Sequence, residues 1–479
     1  MPERQTTTLV LFGASGDLAG RKVLPALQSA LAGDEVRGPV RVVGVGRSEL
    51  DDTSFRARLS SDERSARLAD TAGWVRLDYF DKAAYSALRA VEDGASHVVF
   101  YLATPPDVFP AILGGLVEAG LNRRGDPSRR VVVEKPLGHD LESSRELNHQ
   151  MQETFTEDQI YRIDHYLAKD TVQNVLALRF SNAIFEAIWN RNLVQSVQIT
   201  AAEEEGIGSR AGYYDESGAV RDMVQNHVLQ LLALVAMEPP TTFDARDIRK
   251  AKLELLRAVQ PIDAQLAVRG QYLGYLDEQG VSRGSRRETY VAAMLSIENW
   301  RWDGVPFFIR TGKALRQRTT QVVIRFRDSP SLRLGGTRQR PIPTLLQIRI
   351  QPHEGITLRI GAKRPGTRFE MVPAGLDLEY SGLSGSKLPD AYEHVLTEVL
   401  SGVHTVFPSG DEIDRSWEIV GDVIRSWEAG GHPELYPIGS WGPEGADELI
   451  ERLGRSRWLD PGDDLTANGS SARPAPRRL

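Results

Sequence analysis

T-T-L-V-L-F-G-A-S-G-D-L-A-G-R-K-V-L-P-A-L, Thr7 to Leu27, decides the fold. Thr7 to Gly13 is short, apolar and ends in glycine, the pattern of a buried parallel strand. A glycine turn and an amphipathic helix follow directly. Strand, glycine turn and helix in that order open a dinucleotide-binding unit. The spacing is G-x-x-G rather than G-x-G-x-x-G, so the textual signal is incomplete. Gly13 permits a tight turn, and Gly16 lets a pyrophosphate approach backbone N–H groups at the helix start. An ordinary strand–helix turn has the same letters.

The next runs extend the unit. P-V-R-V-V-G-V-G-R-S, Pro39 to Ser48, is a second strand. The residue at its end selects the coenzyme: an acid favours NAD, an arginine suits a 2′-phosphate. Arg47 stands there, followed by Ser48, which points to NADP, with NAD as a secondary coenzyme. H-V-V-F-Y-L-A-T-P-P (His97 to Pro106) and V-V-V-E-K-P-L-G (Val131 to Gly138) are two further buried strands. Lys135 precedes a proline and is held out of the helical region. It therefore projects from a strand end, where ligands bind in open α/β sheets.

Y-R-I-D-H-Y-L-A-K-D, Tyr161 to Asp170, closes this half. Its residues predict a helix beginning near Asp164, with that carboxylate as N-cap. His165 and Lys169 then share a face. With Tyr166 they crowd donors at a helix N-terminus, either a phosphate seat or a well-capped, exposed helix start. A long, largely buried helix follows the turn in Arg210 to Met237. It carries Arg221, Asp222, Gln225, Asn226 and His227 among apolar residues, a density of polar groups that needs partners. Later runs are strands in succession without alternating helices, which predicts an antiparallel sheet in an α+β domain. An exposed face of that sheet would need covering, so a sheet-mediated dimer is expected. D-A-Y-E-H-V-L and D-E-I-D-R-S-W-E-I-V-G-D-V-I are amphipathic helices.

Composition bounds the rest. The chain has 479 residues, a net charge of −7 and no cysteine. Disulfides, thiolate nucleophiles and Cys-ligated zinc are excluded. Mild acidity argues against non-specific nucleic-acid binding but allows a local basic pocket. No run reaches membrane-spanning length, and a cytoplasmic location fits. No histidine pair has the spacing of a helical metal site, so no metal is expected. The expected fold is α/β plus α+β: a Rossmann-like coenzyme domain over 1–163 and a β+α domain over 164–461. Residues 462–479 have the composition of a disordered tail.

G-A-S-G-D-L-A, E-K-P-L-G, R-I-D-H-Y-L-A-K-D, G-Y-Y-D-E-S-G-A-V-R-D-M-V-Q-N-H, N-W-R-W-D-G-V-P-F-F-I-R-T-G-K-A-L and D-A-Y-E-H-V-L occur in the order found in glucose-6-phosphate 1-dehydrogenases. The resemblance runs from about Leu9 to Trp441. It implies oxidation of D-glucose 6-phosphate to the 6-phospho-lactone with hydride transfer to NADP, in the oxidative pentose phosphate pathway, by a homodimer or dimer of dimers. His227 resembles the general base and Asp164 the carboxylate that orients it; that carboxylate has two oxygens, enough for cap and partner together. His165, Tyr166 and Lys169 resemble the phosphate binders. Lys135, Glu203, Asp222 and Lys313 match family contacts to the sugar or reacting centre, and Lys22 and Arg318 are further carry-overs. Gly13, Ser15, Gly16, Asp17 and Leu18 match the coenzyme turn, Arg47 and Ser48 the 2′-phosphate site. Pro136 corresponds to a proline often cis in the family. Ala168, Asp170, Gly20 and His394 depart from the usual glycine, glutamate, basic residue and arginine. The competing readings are an enzyme for another aldose 6-phosphate and a non-catalytic, coenzyme-binding subunit.

Overall fold

In the computed structural model, β1 (Thr7–Phe12) is buried along its whole length and pairs in parallel with a strand on each side. Residues 6–460 are described, apart from 34–35, 37, 60–67, 331–332, 335–336, 339–341, 368–369, 381 and 383–389. The expected tail, 462–479, lies outside the described residues. The chain forms two compact units, each assembled from three segments. The first takes Met1–Gln173, Val224–Arg257 and Leu388–Gly421, and the second takes Asn174–Met223, Ala258–Lys387 and Asp422–Leu479. The division is thus interleaved and does not follow a single boundary at 163/164. Segments distant in sequence thus return to the first unit.

In the first unit β2 (Val40–Gly46), β3 (Gly73–Arg76), β4 (His97–Leu102), β5 (Arg129–Val133) and β6 (Ile160–Arg162) complete a parallel sheet of order β3-β2-β1-β4-β5-β6. Its valine-rich runs suit a sheet covered on both faces. Phe12, Phe100, Phe109 and Leu116 lie in the core on one side. The order reverses between β1 and β4, which places a ligand crevice at the C-terminal strand ends.

Six helices matter below: α1 (Leu24–Ala32), α2 (Asp170–Phe180), α3 (Leu229–Ala236), α4 (Ala245–Ala258), α5 (Ala391–Ser401) and α6 (Gly410–Ala429). Leu24, Leu27 and Ala30 bury one face of α1, and α5 packs beside it. Asp390 caps α5 by accepting from the Tyr392 N–H, the role its chemistry favours. Lys252 of α4 pairs with Glu412 of α6 at 2.8 Å, and its ammonium also donates to Gln230 of α3 at 3.0 Å. Both charges are fully buried. Leaving one of such a pair alone costs about 3–5 kcal/mol, so this contact fixes how the three helices meet.

In the second unit the strands are β7 (Val194–Ala202), β8 (Ala267–Tyr272), β9 (Tyr290–Leu295), β10 (Phe307–Gly312), β11 (Thr319–Phe326), the short ribbon β12 (Arg333–Leu334) and β13 (Thr337–Arg338), β14 (Leu345–Gln351), β15 (Gly355–Lys363), β16 (Met371–Glu379) and β17 (Glu434–Tyr436). Among the described residues nine of them form one sheet, ordered β16-β15-β14-β11-β7-β10-β9-β8-β17. The expectation of an antiparallel sheet is corrected in two places: β7–β10 and β8–β17 pair in parallel. In each case the intervening chain is long enough to return to the same end, which parallel pairing requires. The stretch expected as a turn and then one long helix is helical without a break from Val220 to Ala236 but opens as a π-helix, and the part expected as the turn is itself largely helical. Gly218 has φ +70° within Ala211–Ala219, a π-helical segment spans Val220–Val228, and α3 follows.

Candidate functional site

Residues 163–169 form a turn, and α2 begins only at Asp170. The helix expected to start near Asp164 is therefore five to six residues later. The Asp164 carboxylate accepts from the Tyr166 N–H at 2.8 Å, the bond a helix N-cap makes, but a turn follows it in place of a helix. Lys169, not Asp164, stands immediately before the helix and accepts the N–H groups of Val172 and Gln173.

The same carboxylate meets His227, sixty-three residues away, with Oδ1 2.7 Å from Nδ1. Turn bond and imidazole bond both fall on Oδ1, not one on each oxygen as the two-oxygen argument supposed. Oδ2 is buried and has no hydrogen-bond partner among the described residues. Burial would raise this carboxyl, but the His227 imidazole beside it, aided by hydrogen bonds from the ring and from Tyr166 N–H, holds it well below the usual carboxylate range. The group is an anion at neutral pH, so its partner nitrogen carries the proton. On that assignment His227 Nε2 is a lone pair. Lys135 Nζ lies 2.9 Å from it and donates. Two contacts thus select one tautomer, with Nε2 as acceptor.

Lys135 reaches this position from the end of β5, and the Lys135–Pro136 peptide is cis. Tyr166 stacks on the His227 ring at 4.3 Å, and the Lys169 ammonium lies 4.5 Å from the Tyr166 ring. Ammonium, phenol and imidazole are stacked in series. His165 is largely buried, and burial, with the neighbouring His227 imidazole and the charge of Lys135, pulls its imidazole down to about 3. Lys22 is exposed and close enough to add to that effect. Asp164, His165, Tyr166, Lys169, Lys135, Lys22 and His227 all belong to the first unit.

The coenzyme-turn residues also assemble there. Gly13 has φ +76°, and a Cβ on it would lie 2.4 Å from the Ala103 carbonyl oxygen, so only glycine fits. Its N–H is held by Val45 O at 2.9 Å and by the Tyr79 hydroxyl at 3.0 Å. Gly16 N–H closes the turn on Gly13 O at 2.8 Å. Gly16 and Asp17 are exposed, and Leu18 half-buried, at the turn's rim. Ser48 Oγ donates to Ser15 Oγ at 2.9 Å, tying the end of β2 to the turn, and Arg47 beside it is exposed.

Glu203, Asp222 and Lys313 gather in the second unit. β7 and β10 end in register, Ala202 opposite Gly312, which sets residues 203 and 313 side by side. Lys313 Nζ is ion-paired with Glu203, and Asp222 Oδ2 lies 3.6 Å from it. Arg318 is exposed before β11. Of the departures, Ala168 is buried, so its methyl packs inward. Gly20 is exposed and its Cβ position is open. His394 lies 3.0 Å from the Gln173 side chain, and Asp170 opens α2. Sequence reasoning missed Tyr79, Tyr101, Glu134 and Tyr392. Only Glu134 carried a signal, as an acid directly after an apolar strand.

A switch-point sheet with a glycine turn, joined to a carboxylate–imidazole pair, defines a nucleotide-dependent dehydrogenase class. The glucose-6-phosphate dehydrogenase NAD-binding domain matches residues 10–174, and the glucose-6-phosphate dehydrogenase C-terminal domain matches 176–459. The chain belongs to the glucose-6-phosphate dehydrogenase family. It is 40% identical to the glucose-6-phosphate 1-dehydrogenase of Aggregatibacter actinomycetemcomitans, over 95% of this chain and 97% of that one. It is also 40% identical to glucose-6-phosphate 1-dehydrogenase 2 of Mycobacterium tuberculosis, over 95% and 94%. A solved glucose-6-phosphate dehydrogenase in complex with its substrate glucose 6-phosphate is similar at TM-score 0.87 and 34% identity, covering 95% of this chain and 99% of that one. The Mycobacterium avium enzyme is similar at 0.86 and 36%, covering 96% and 99%.

Gly13→Ala forces a left-handed residue to carry a Cβ against a carbonyl. Strain of about 1–3 kcal/mol should weaken dinucleotide binding about tenfold or more, read by fluorescence titration. An unchanged dissociation constant would show that the turn does not carry the nucleotide.

Proposed function

We propose that the chain oxidises D-glucose 6-phosphate at C1 to 6-phospho-D-glucono-1,5-lactone, with NADP as preferred coenzyme and NAD as a secondary one. The observation that carries this reading is the Asp164–His227–Lys135 arrangement in a chain of this family. Nε2 of His227 takes the proton of the C1 hydroxyl, replacing the Lys135 ammonium as its hydrogen-bond partner. Asp164 stabilises the imidazolium so formed, as the acid of a serine-hydrolase triad does. His165, Tyr166 and Lys169 hold the phosphate, with Lys22 adding positive potential. Glu203, Asp222 and Lys313 hold the sugar, and Arg318 is a further phosphate or sugar contact.

The chain's residues fit a dinucleotide. Gly13, Ser15, Gly16, Asp17 and Leu18 would hold its pyrophosphate, with Arg47 and Ser48 at the adenosine 2′-phosphate and Lys135 near the reacting end. When bound, the coenzyme supplies a nicotinamide that accepts the hydride. Arg47 is an exposed guanidinium at the end of β2, where its charge favours a 2′-phosphate. We also read the protein as a cytoplasmic homodimer or dimer of dimers of the oxidative pentose phosphate pathway. Among the described residues no helix is long and apolar enough to cross a membrane. Leu376 and Leu378 of β16 expose apolar surface on one face of the large sheet, which a second copy would cover.

His227→Asn should lower turnover about 10³-fold, as expected for loss of a general base, with the Michaelis constant for the sugar phosphate nearly unchanged. Steady-state kinetics check this, and retained turnover rules out the assigned role. Arg47→Ala should raise the Michaelis constant for NADP by about tenfold and leave that for NAD little changed. Equal losses with both coenzymes contradict the preference. Light scattering of the purified chain should give at least a dimer mass, and a monomer at micromolar concentration defeats the sheet-mediated assembly.

A further inference from the structure

Behind His165 lies a carboxyl that the proposed reaction leaves unused. Glu134 follows β5 directly and is 5% exposed. Its Oε1 accepts from the Tyr101 hydroxyl of β4 at 2.7 Å. The Tyr392 hydroxyl of α5 is a second donor to it. Its Oε2 lies 3.8 Å from His165 Nε2. That nitrogen is buried and has no hydrogen-bond partner among the described residues. The Tyr392 ring packs against the same imidazole at 4.3 Å. With Nε2 covered, Nδ1 is the ring nitrogen left to meet a ligand.

Proton counting then decides what His165 can do. A neutral imidazole protonated on Nε2 points that N–H at Glu134 and turns a lone pair outward. A phosphate dianion accepts hydrogen bonds and is repelled by that lone pair. When Glu134 is a neutral acid, its O–H faces Nε2 across 3.8 Å, longer than a hydrogen bond, and favours the tautomer with the imidazole proton on Nδ1. When the proton moves to the ring, Nδ1 still carries N–H and Glu134 becomes the counter-ion. In both states the pair holds one proton more than carboxylate plus neutral imidazole.

We propose that Glu134 is a positioning residue of the phosphate seat: facing Nε2, it keeps that proton on the Glu134–His165 pair, so that Nδ1 presents an N–H to the substrate phosphate. This rests on the reading of His165 and Lys169 as phosphate binders. The surroundings supply the proton near neutrality. Burial raises Glu134 to about 7, against the hydrogen bond from Tyr101, the charge of Lys135 and the hydrogen bond from Tyr392. On the other side, burial, the neighbouring His227 imidazole and the charges of Lys135 and Lys22 lower His165, with Asp164 opposing them. The proton therefore resides on Glu134 before substrate binds. It is lost as pH rises through about 7, and phosphate binding weakens above that point.

The test is the pH dependence, from 6 to 9, of kcat and of the Michaelis constant for glucose 6-phosphate. It compares the wild type with Glu134→Gln and Glu134→Leu, and with His165→Ala and Lys169→Ala in parallel. The wild-type Michaelis constant should rise about tenfold above neutrality, and unphosphorylated glucose should show no such step. Glu134→Gln donates an amide N–H to Nε2 at every pH and should remove the step while staying near the low-pH wild-type value. Glu134→Leu should raise the Michaelis constant about tenfold at every pH, with kcat the lesser casualty. The substrate's own ionisation is common to all the proteins and cancels in the comparison. A Glu134→Gln profile that parallels the wild type overturns the proposal even if Glu134→Leu does not fold. If His165→Ala and Lys169→Ala raise the constant but neither Glu134 variant alters its pH profile, only the role of Glu134 fails. If His165→Ala and Lys169→Ala also leave it unchanged, the phosphate seat lies elsewhere.

Discussion

One buried oxygen organises the first unit. Asp164 Oδ1 accepts from the Tyr166 N–H and from the His227 ring, at 2.8 and 2.7 Å. An ionised carboxylate loses several kcal/mol of hydration on burial, so it persists only where fixed donors replace water. The backbone that presents it is correspondingly held. Arg162, two residues earlier and fully buried, makes two bonds to Glu157 at 2.7 and 3.1 Å and one to Asn148 at 3.2 Å. Glu157 in turn accepts from the Gly410 N–H at the start of α6 at 3.1 Å. The acid thus lies two residues beyond a strand end, Arg162, that cannot move without breaking its ion pair with Glu157. His227 needs comparable support, and its neighbours supply it through Tyr166 stacked on one face and Lys135 at Nε2.

The parallel sheet was legible in the sequence because its signals are local. An apolar run ending in glycine, followed by a helical pattern, reports strand, turn and helix within some twenty residues. Gly13 shows why the letters mattered: the left-handed φ and the nearby Ala103 carbonyl exclude any side chain. Asp164, His165, Lys169 and His227 stood out because polar groups among apolar residues must find partners. The identity of those partners rested on resemblance, since the Asp164–His227 contact is set by tertiary packing and no periodicity encodes it.

What was hidden follows the same logic. The interleaved units depend on which apolar faces meet, and the return of Leu388–Gly421 to the first unit has no marker in composition. Parallel pairing of β7 with β10 could not be read from succession alone, because strand order in a sheet is a long-range choice. Tyr101 and Tyr392 looked like ordinary core and helix residues. Their meaning comes from the single carboxyl they share, to which β4 and α5 each contribute one hydroxyl.

The misplaced helix start is the most instructive error. An α-helix from Asp164 would set His165 and Lys169 about 40° apart, with Tyr166 about 60° from Lys169. The residues fall in a turn instead. It brings the Lys169 ammonium over the Tyr166 ring and lays that ring on His227. Cation, phenol and imidazole then form one column, so the proposed phosphate-binding ammonium and the proposed base are linked by direct packing through a single side chain. Helix propensity after Asp164 was real, but it was satisfied from Asp170 onward. The sequence feature that suggested a cap was therefore read correctly as chemistry and wrongly as geometry: Asp164 does accept a backbone N–H two residues on, but a turn follows it, and the same oxygen holds His227.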